Sequence, residues 1–219
     1  MSTPAAPEPR PPLRERKKQR TREALLATGL RLFAERGFAE TTLDELCDEV
    51  EVSKRTFFRT FASKEEVAMA PLHDLWELFL RELATATPAG ETLVEFLHGV
   101  LLTALEGMTD PDWPRRVLVS QRLAERNPSV AAYGLYFCDR TTRAALALLR
   151  ERFTLPDDLT VLLALDILIA AFHRAQEAWA AAPGPHTRDG LREHADAART
   201  VLPVVLDAPV RAAARVGDS

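Results

Sequence analysis

The chain is poor in cysteine and glycine and has no long hydrophobic run, and each scarcity removes a class of protein. Cys47 and Cys138 are its only cysteines. Neither has a second Cys or His at metal-ligand spacing, so no disulfide framework and no metal site is expected, which fits a reducing compartment. Both thiols read as small apolar core groups, with ligand contact or redox sensing at Cys138 as the alternative. Nine glycines in 219 residues, with no alternation of strand and helix patterns, leave no place for the phosphate loops and nucleophile elbows of α/β enzymes. His-Glu-x-x-His is absent too. His73-Asp74 and Glu193-His194 are sequence neighbours, which diverge around a helix rather than meet. No catalytic residue, metal or cofactor is therefore expected. The apolar run from Val161 to Phe172 is broken by Asp166 and falls short of the ~20 residues that span a bilayer. The expectation is a cytoplasmic protein with no membrane partner.

Helical periodicity is what the chain has in quantity. Between residues 42 and 64, Leu43, Leu46, Cys47 and Val50 recur at the three- and four-residue steps of one buried face, and Asp44, Glu45, Asp48 and Glu49 take the other. Thr42 with Glu45 and Ser63 with Glu66 are capping boxes, and Ser53 caps a short helix between them. That middle helix anchors on Phe57, Phe58 and Phe61 and leaves Lys54, Arg55, Thr56, Arg59 and Thr60 for solvent or a partner. Further helices are expected at about 64 to 86, 91 to 107, 112 to 125, 128 to 153, 157 to 182 and 188 to 207. Pro88 and Gly90, Asp110 and Pro111, Asn127 capping before Pro128, Pro156 with Asp157, and Pro183-Gly184-Pro185 punctuate them. Pro203 predicts a kink or early end in the last helix.

The segment of roughly residues 16 to 70 resembles the DNA-binding region of tetracycline-repressor-like (TetR family) regulators. The likeness rests on spaced elements in one order: Leu32-Phe33-Ala34-Glu35-Arg36-Gly37-Phe38, the Thr41-Thr42 pair, Val52-Ser53-Lys54, Thr56-Phe57-Phe58, and Phe61-x-Ser63-Lys64-Glu65. Two positions depart from the family pattern. Glu51 stands where the turn usually has Gly, which asks a non-Gly residue to tolerate a backbone with positive φ at about 1 kcal/mol. Phe58 stands where Tyr is usual and has no hydroxyl for a phosphate. The resemblance implies base contacts from Lys54, Arg55 and Thr56 at the opening of the second helix, and phosphate contacts from Thr42, Thr60 and Lys64. Ser53, Phe58 and Arg59 complete the implied DNA-facing set.

Charge supports a nucleic-acid partner at this end. Residues 1 to 64 carry 13 Lys or Arg against 10 Asp or Glu, while the remainder carries 15 against 22. Arg10, Arg14, Arg16, Lys17, Lys18, Arg20 and Arg22 face only Glu15 between residues 10 and 22. Cations at a helix start oppose the macrodipole. Arg16, Lys17, Lys18 and Arg20 are therefore candidates for phosphate or minor-groove contact.

The expected fold is all-α. Residues 13–70 form a three-helix DNA-binding domain with a helix-turn-helix, and 71–208 a helical ligand-binding and dimerisation domain. Residues 1–12, without the pattern of a secretory signal, read as a disordered tail and 209–219 as a second tail. Positions 159 to 181 are apolar around most of the helix, which calls for burial on both sides. In the resembled family the last two long helices pair with those of a second subunit, so 157–182 and 188–207 are the expected homodimer interface. A homodimer suits a palindromic double-stranded operator. The resemblance also implies an effector chamber among the middle helices. Trp76, Phe79, Phe96, Leu97, Leu101, Trp113, Leu118, Tyr133, Phe137 and Phe172 are its candidate lining, with Gln121, Tyr136, His173 and Gln176 as polar partners. Such a chamber suits a lipophilic effector. The carboxyl-terminal part resembles regulators of this family thought to respond to acyl-CoA-type ligands, with Arg115, Arg116 or Arg122 as phosphate partners. The reading is a ligand-released, sequence-specific repressor; a constitutive helical DNA-binding or architectural module is the alternative.

Overall fold

The computed structural model describes residues 12–207, and the side chains of 12–205. The expected tails at 1–12 and 209–219 lie almost wholly outside the described residues. In chain order the helices are α1 Leu13–Arg36, α2 Leu43–Glu49, α3 Lys54–Thr60, α4 Lys64–Leu83, α5 Leu93–Glu106, α6 Trp113–Arg126, α7 Pro128–Arg152, α8 Asp158–Ala181 and α9 Arg188–Asp207. No strand occurs among the described residues. Each expected helix is present with ends shifted by at most three residues. α9 runs through Pro203 to Asp207, so the early end predicted there does not occur. A second interior proline, Pro71, sits in α4. Asn127 precedes α7 as expected, its carbonyl accepting from the Val130 and Ala131 N–H groups, but its side-chain N–H donates back to the Leu123 carbonyl and so also closes α6.

Contacts divide the chain into two compact units, Met1–Glu77 with Asp110–Thr141, and Leu78–Thr109 with Thr142–Ser219. The first is built on one apolar cluster that includes Leu26, Leu30 and Phe33 of α1, Leu46 of α2, Phe57 of α3, Val67 of α4 and Leu123 of α6. Gly29 lets α1 and α4 approach, since a Cβ there would lie 2.7 Å from Val67 Cγ1. Ion pairs reinforce this packing at its edge. Arg22 of α1 is held by Asp74 of α4, and Arg116 of α6 by Glu23 of α1 at 2.6 Å and Asp110 at 3.2 Å. Trp113 Nε1 donates to the Pro71 carbonyl at 2.9 Å.

In the second unit α5, α8 and α9 pack on one another. Phe96, Leu97 and Leu101 of α5, Leu165, Leu168 and Phe172 of α8, and Leu191 of α9 are buried. A polar link joins His98 Nε2 of α5 to Asp196 Oδ1 of α9 at 2.9 Å. Arg152, at the end of α7, donates to the Leu83 and Ala86 carbonyls and so satisfies acceptors left over where α4 stops. The loop before α9 is the expected one, with Gly184 at φ 102°.

Candidate nucleic-acid interface

The helix-turn-helix region is assembled by its caps. Gly37, at φ 102°, ends α1. Thr42 then opens α2 by accepting from the Glu45 N–H, while the Glu45 carboxylate accepts from the Thr42 N–H and hydroxyl. The same bonds, the backbone one first, hold the Glu45 carboxyl below its usual range. The turn after α2 passes through Glu51 at φ 55°, the one non-glycine residue with positive φ among those described. Val52 N–H closes it onto the Cys47 carbonyl at 2.9 Å. Ser53 accepts from the Thr56 N–H and starts α3.

Packing then decides which face of α3 is free. Phe57 and Phe61 are buried and Thr56 and Thr60 half-buried, with the Thr60 hydroxyl donating to the Thr56 carbonyl. Lys54, Arg55, Phe58 and Arg59 share the opposite, exposed face, at the one- and four-residue steps of a helix. Phe58, 55% exposed, is thus a surface ring and not the core anchor the sequence suggested. Its edge-on contact with Phe57, at 5.4 Å, fixes its direction.

The acidic face of α2 consumes several nearby cations. Arg31 pairs with Glu49, Arg36 approaches Glu45 and Glu49, and Lys54 Nζ lies 2.8 Å from Asp44 Oδ1. The hydrogen bond to Asp44 holds the Lys54 ammonium above its usual pKa. Arg55 and Arg59 have no ion pair among the described residues. Of the expected set, these two are the uncommitted charges on α3.

Lys64 stands apart from the role expected of it. Its ammonium donates to the carbonyls of Phe38 at 2.9 Å and Thr41 at 2.7 Å and lies 4.7 Å from the Phe38 ring centroid. Thr41, fully buried, donates its hydroxyl to Gly37 O. Lys64 thereby ties the loop between α1 and α2 to the start of α4. Arg16, Lys17, Lys18 and Arg20 are exposed on the first two turns of α1. Arg10, at the start of the basic stretch, lies outside the described residues.

The candidate effector residues are shared between the units. Trp76, Trp113, Gln121, Tyr133 and Phe137 belong to the first, and Phe79, Phe96, Leu101, Phe172, His173 and Gln176 to the second. Trp76, Phe79, Phe96, Leu101, Trp113 and Phe172 are buried. His173 is exposed and faces Glu177 at 3.7 Å, and Tyr136 is exposed as well. Gln121 Oε1 and Gln176 Nε2 are buried without a hydrogen-bond partner. Phe172 and Leu101 border a cavity of about 10 Å³ in the second unit, about the least that holds one water. Arg116 is committed to Glu23 and Asp110, whereas Arg115 and Arg122 are exposed. His73, noticed in the sequence only as the neighbour of Asp74, stacks its ring on Phe137 at 3.6 Å. Its recurrence with Met69 and Trp76 on one helical face was the available signal.

A short capped helix presenting an arginine-bearing face from a three-helix core defines the helix-turn-helix class. Residues 25–70 match the bacterial regulatory proteins of the tetR family. The chain is similar to the HTH-type transcriptional regulator TcmR of Streptomyces glaucescens, 39% identical over 126 residues, or 56% of this chain and 55% of that protein. It is also similar to the HTH-type transcriptional repressor NemR of Escherichia coli, 39% identical over 71 residues, or 32% of this chain and 36% of that protein. The chain therefore matches about half, or less, of the length of these relatives, both of which are named as regulators. The whole fold is similar to a crystal structure of a TetR-family regulator from Mesorhizobium loti, with a TM-score of 0.51 and 17% identity over 86% of this chain and 98% of that one.

Proposed function

We propose that the chain is a homodimeric, ligand-responsive transcriptional regulator that acts as a repressor on a palindromic operator. The observation that carries the DNA-binding part is the exposed face of α3, where Arg55 and Arg59 stand uncommitted. An arginine reads guanine O6 and N7 as a bidentate pair in the major groove, and each such pair discriminates by about 1–3 kcal/mol. Arg55, near the first turn, is assigned to base reading. Arg59, one turn later, and Thr42 at the cap of α2 are assigned to phosphates, with Arg16, Lys17, Lys18 and Arg20 adding sequence-independent affinity. Lys54 contributes only by giving up Asp44.

Dimerisation is inferred from the outer surface of α8 and α9. Leu159, Leu163, Val201, Val204 and Val205 are exposed on these two packed helices, and exposed apolar surface of this kind suits a second copy. Two heads about 34–36 Å apart, or a multiple, would read two half-sites. The division of labour between residues 13–70 and 71–208 belongs to this reading. So does a cytoplasmic location, in keeping with the finding that no described helix is long and apolar enough to cross a membrane.

Effector response is supported by Gln121 and Gln176, whose unpaired buried atoms each cost about 1–3 kcal/mol until something pairs them. A lipophilic or acyl-CoA-like effector with a few polar groups suits a candidate effector set that is largely aromatic. An effector that favours the DNA-released state by about 1–3 kcal/mol would lower operator affinity by about 5- to 150-fold. The test is selection of bound sequences from a genomic library with wild type and Arg55→Ala. A defined motif in wild type, relaxed at one or two base pairs in the variant, supports the reading. Binding without a motif would leave the constitutive architectural module as the better account.

A further inference from the structure

A polar cavity of about 120 Å³ lies inside the first compact unit. Its walls include Arg22 of α1, His73 and Glu77 of α4, and Tyr133, Phe137 and Arg140 of α7. His73 is only 5% exposed, and its Nε2 is buried without a hydrogen-bond partner. The ring is fixed in direction: it stacks on Phe137 with planes 13° apart, and the Tyr133 ring lies 5.3 Å away. A buried nitrogen left unpaired opposes folding, and a ligand that pairs it recovers the loss.

The charges around it narrow the ligand. Arg22 is already held by both oxygens of Asp74. Glu66, also on the wall, accepts from the Ala62 N–H. Glu77 is exposed at the rim. Arg140 makes no ion pair among the described residues; its guanidinium lies 5.7 Å from the Tyr136 ring centroid. Burial, then the fields of Arg22 and Arg140, hold the His73 pKa down to about 3. At neutral pH the imidazole is therefore uncharged, with one N–H to donate and the Arg140 guanidinium as the cation on the wall without an ion pair among the described residues. An acceptor that also carries negative charge meets both conditions.

We propose that this cavity is a binding site for a small carboxylate, which accepts from the His73 imidazole and pairs with Arg140 beside the Phe137 ring. A volume of about 120 Å³, against the ~10–15 Å³ that one water needs, leaves room for a small carboxylate. The site uses residues of one unit and is polar, so it does not depend on the lipophilic effector. Because Arg22 belongs to α1, a bound carboxylate would brace the helix on which α2 and α3 pack.

The experiment is titration of the full-length protein with sodium propionate, followed by the imidazole nitrogen resonances of its histidines. Propionamide and sodium chloride at matched ionic strength serve as comparisons. Propionate is expected to shift one histidine saturably, the one whose signal is lost in His73→Gln. Propionamide is expected to bind at least about tenfold more weakly, as is propionate to Arg140→Gln, an exposed position whose change leaves the core intact, since each removes a charge-assisted bond. Should His73→Gln fail to fold, thermal stabilisation by propionate in wild type, weakened about tenfold in Arg140→Gln, carries the same test. The proposal is overturned by no saturable shift, by an equal effect of chloride, by equally tight propionamide, or by unchanged affinity in Arg140→Gln. Operator binding is not the readout, so a failure of the regulator reading would leave this result standing.

Discussion

The two compact units differ in what they leave on their surfaces. In the first, cations are structural parts: Lys64 holds two backbone carbonyls, Arg22 joins α1 to α4, and Arg116 joins α1 to α6. What they leave outside is again charged, namely Arg55 and Arg59 on α3. In the second, apolar side chains fill the interior of α5, α8 and α9 and also emerge on the outside at Leu159, Leu163, Val201, Val204 and Val205. Exposed arginines retain their hydration until an anion replaces it; exposed aliphatic groups lose free energy in water until another apolar surface covers them. One surface therefore suits a phosphate backbone and the other a protein.

The largest expected effect separates interior from exterior on α8. Leu168 is 3% exposed, so Leu168→Arg would bury an unpaired charge and is expected to unfold the second unit, at a cost of several kcal/mol. Leu163, 51% exposed, can accept Arg without disturbing its own fold. Leu163→Arg is expected to retain full helicity by circular dichroism while light scattering reports a monomer. A folded dimer in Leu163→Arg would break the comparison, because the apolar exterior would then need another explanation.

Lys64 tests the first unit in the same spirit. If its cation is a fastener, Lys64→Ala loses two charged hydrogen bonds and should lower stability by about 1.5–3 kcal/mol in urea unfolding. If it is a phosphate contact instead, stability holds and the salt dependence of DNA binding falls by about one charge. The structure favours the first outcome, since both donated bonds are already made within the chain.

His73 supplies a pH test of about 2 kcal/mol. Its folded pKa of about 3 lies below the ordinary value of about 6.5, so the unfolded chain binds the proton first on acidification. The neutral ring's contribution is complete above pH 6.5 and erodes as pH falls from there toward 3, by about 1.4 kcal/mol per unit. Between pH 7 and pH 5 the loss should reach about 2 kcal/mol. The groups facing His73 are Arg22 from α1, Glu66 and Glu77 from α4, and Tyr133 and Arg140 from α7. Removing the Arg140 charge should raise the folded pKa, so the erosion stops at a higher pH while the loss between pH 7 and pH 5 stays about the same. An unfolding free energy flat across this range would show that the ring is reached by water.

How much of this was legible in the sequence depended on whether the cause was local. Thr42 with Glu45, Ser53, and the periodic leucines act within one turn of helix, and their helices stand where the sequence placed them. The structural bonds of Lys64 were not legible because its partners, the carbonyls of Phe38 and Thr41, lie 26 and 23 residues away and have no side-chain signature. Phe58 was misjudged because adjacent phenylalanines on a seven-residue helix cannot both face a small core, and periodicity alone does not say which one turns out. The cavity at His73 draws on α1, α4 and α7, three stretches that only packing brings together.

Glu51 offers the smallest effect and tests the one place where the head breaks a local rule. Its φ of 55° is a conformation that costs a non-glycine residue about 1–2 kcal/mol. Its neighbours hold it there: Glu51 N–H donates to the Asp48 carbonyl and Val52 N–H to the Cys47 carbonyl. Glu51→Gly would remove the strain but give the unfolded chain more freedom, which takes back about 0.4–1 kcal/mol. The expected result is a gain of about 0.5 kcal/mol in unfolding free energy, with motif preference unchanged because the α3 face is untouched. Loss of stability instead would mean that the Glu51 side chain contributes to the turn beyond its backbone angle.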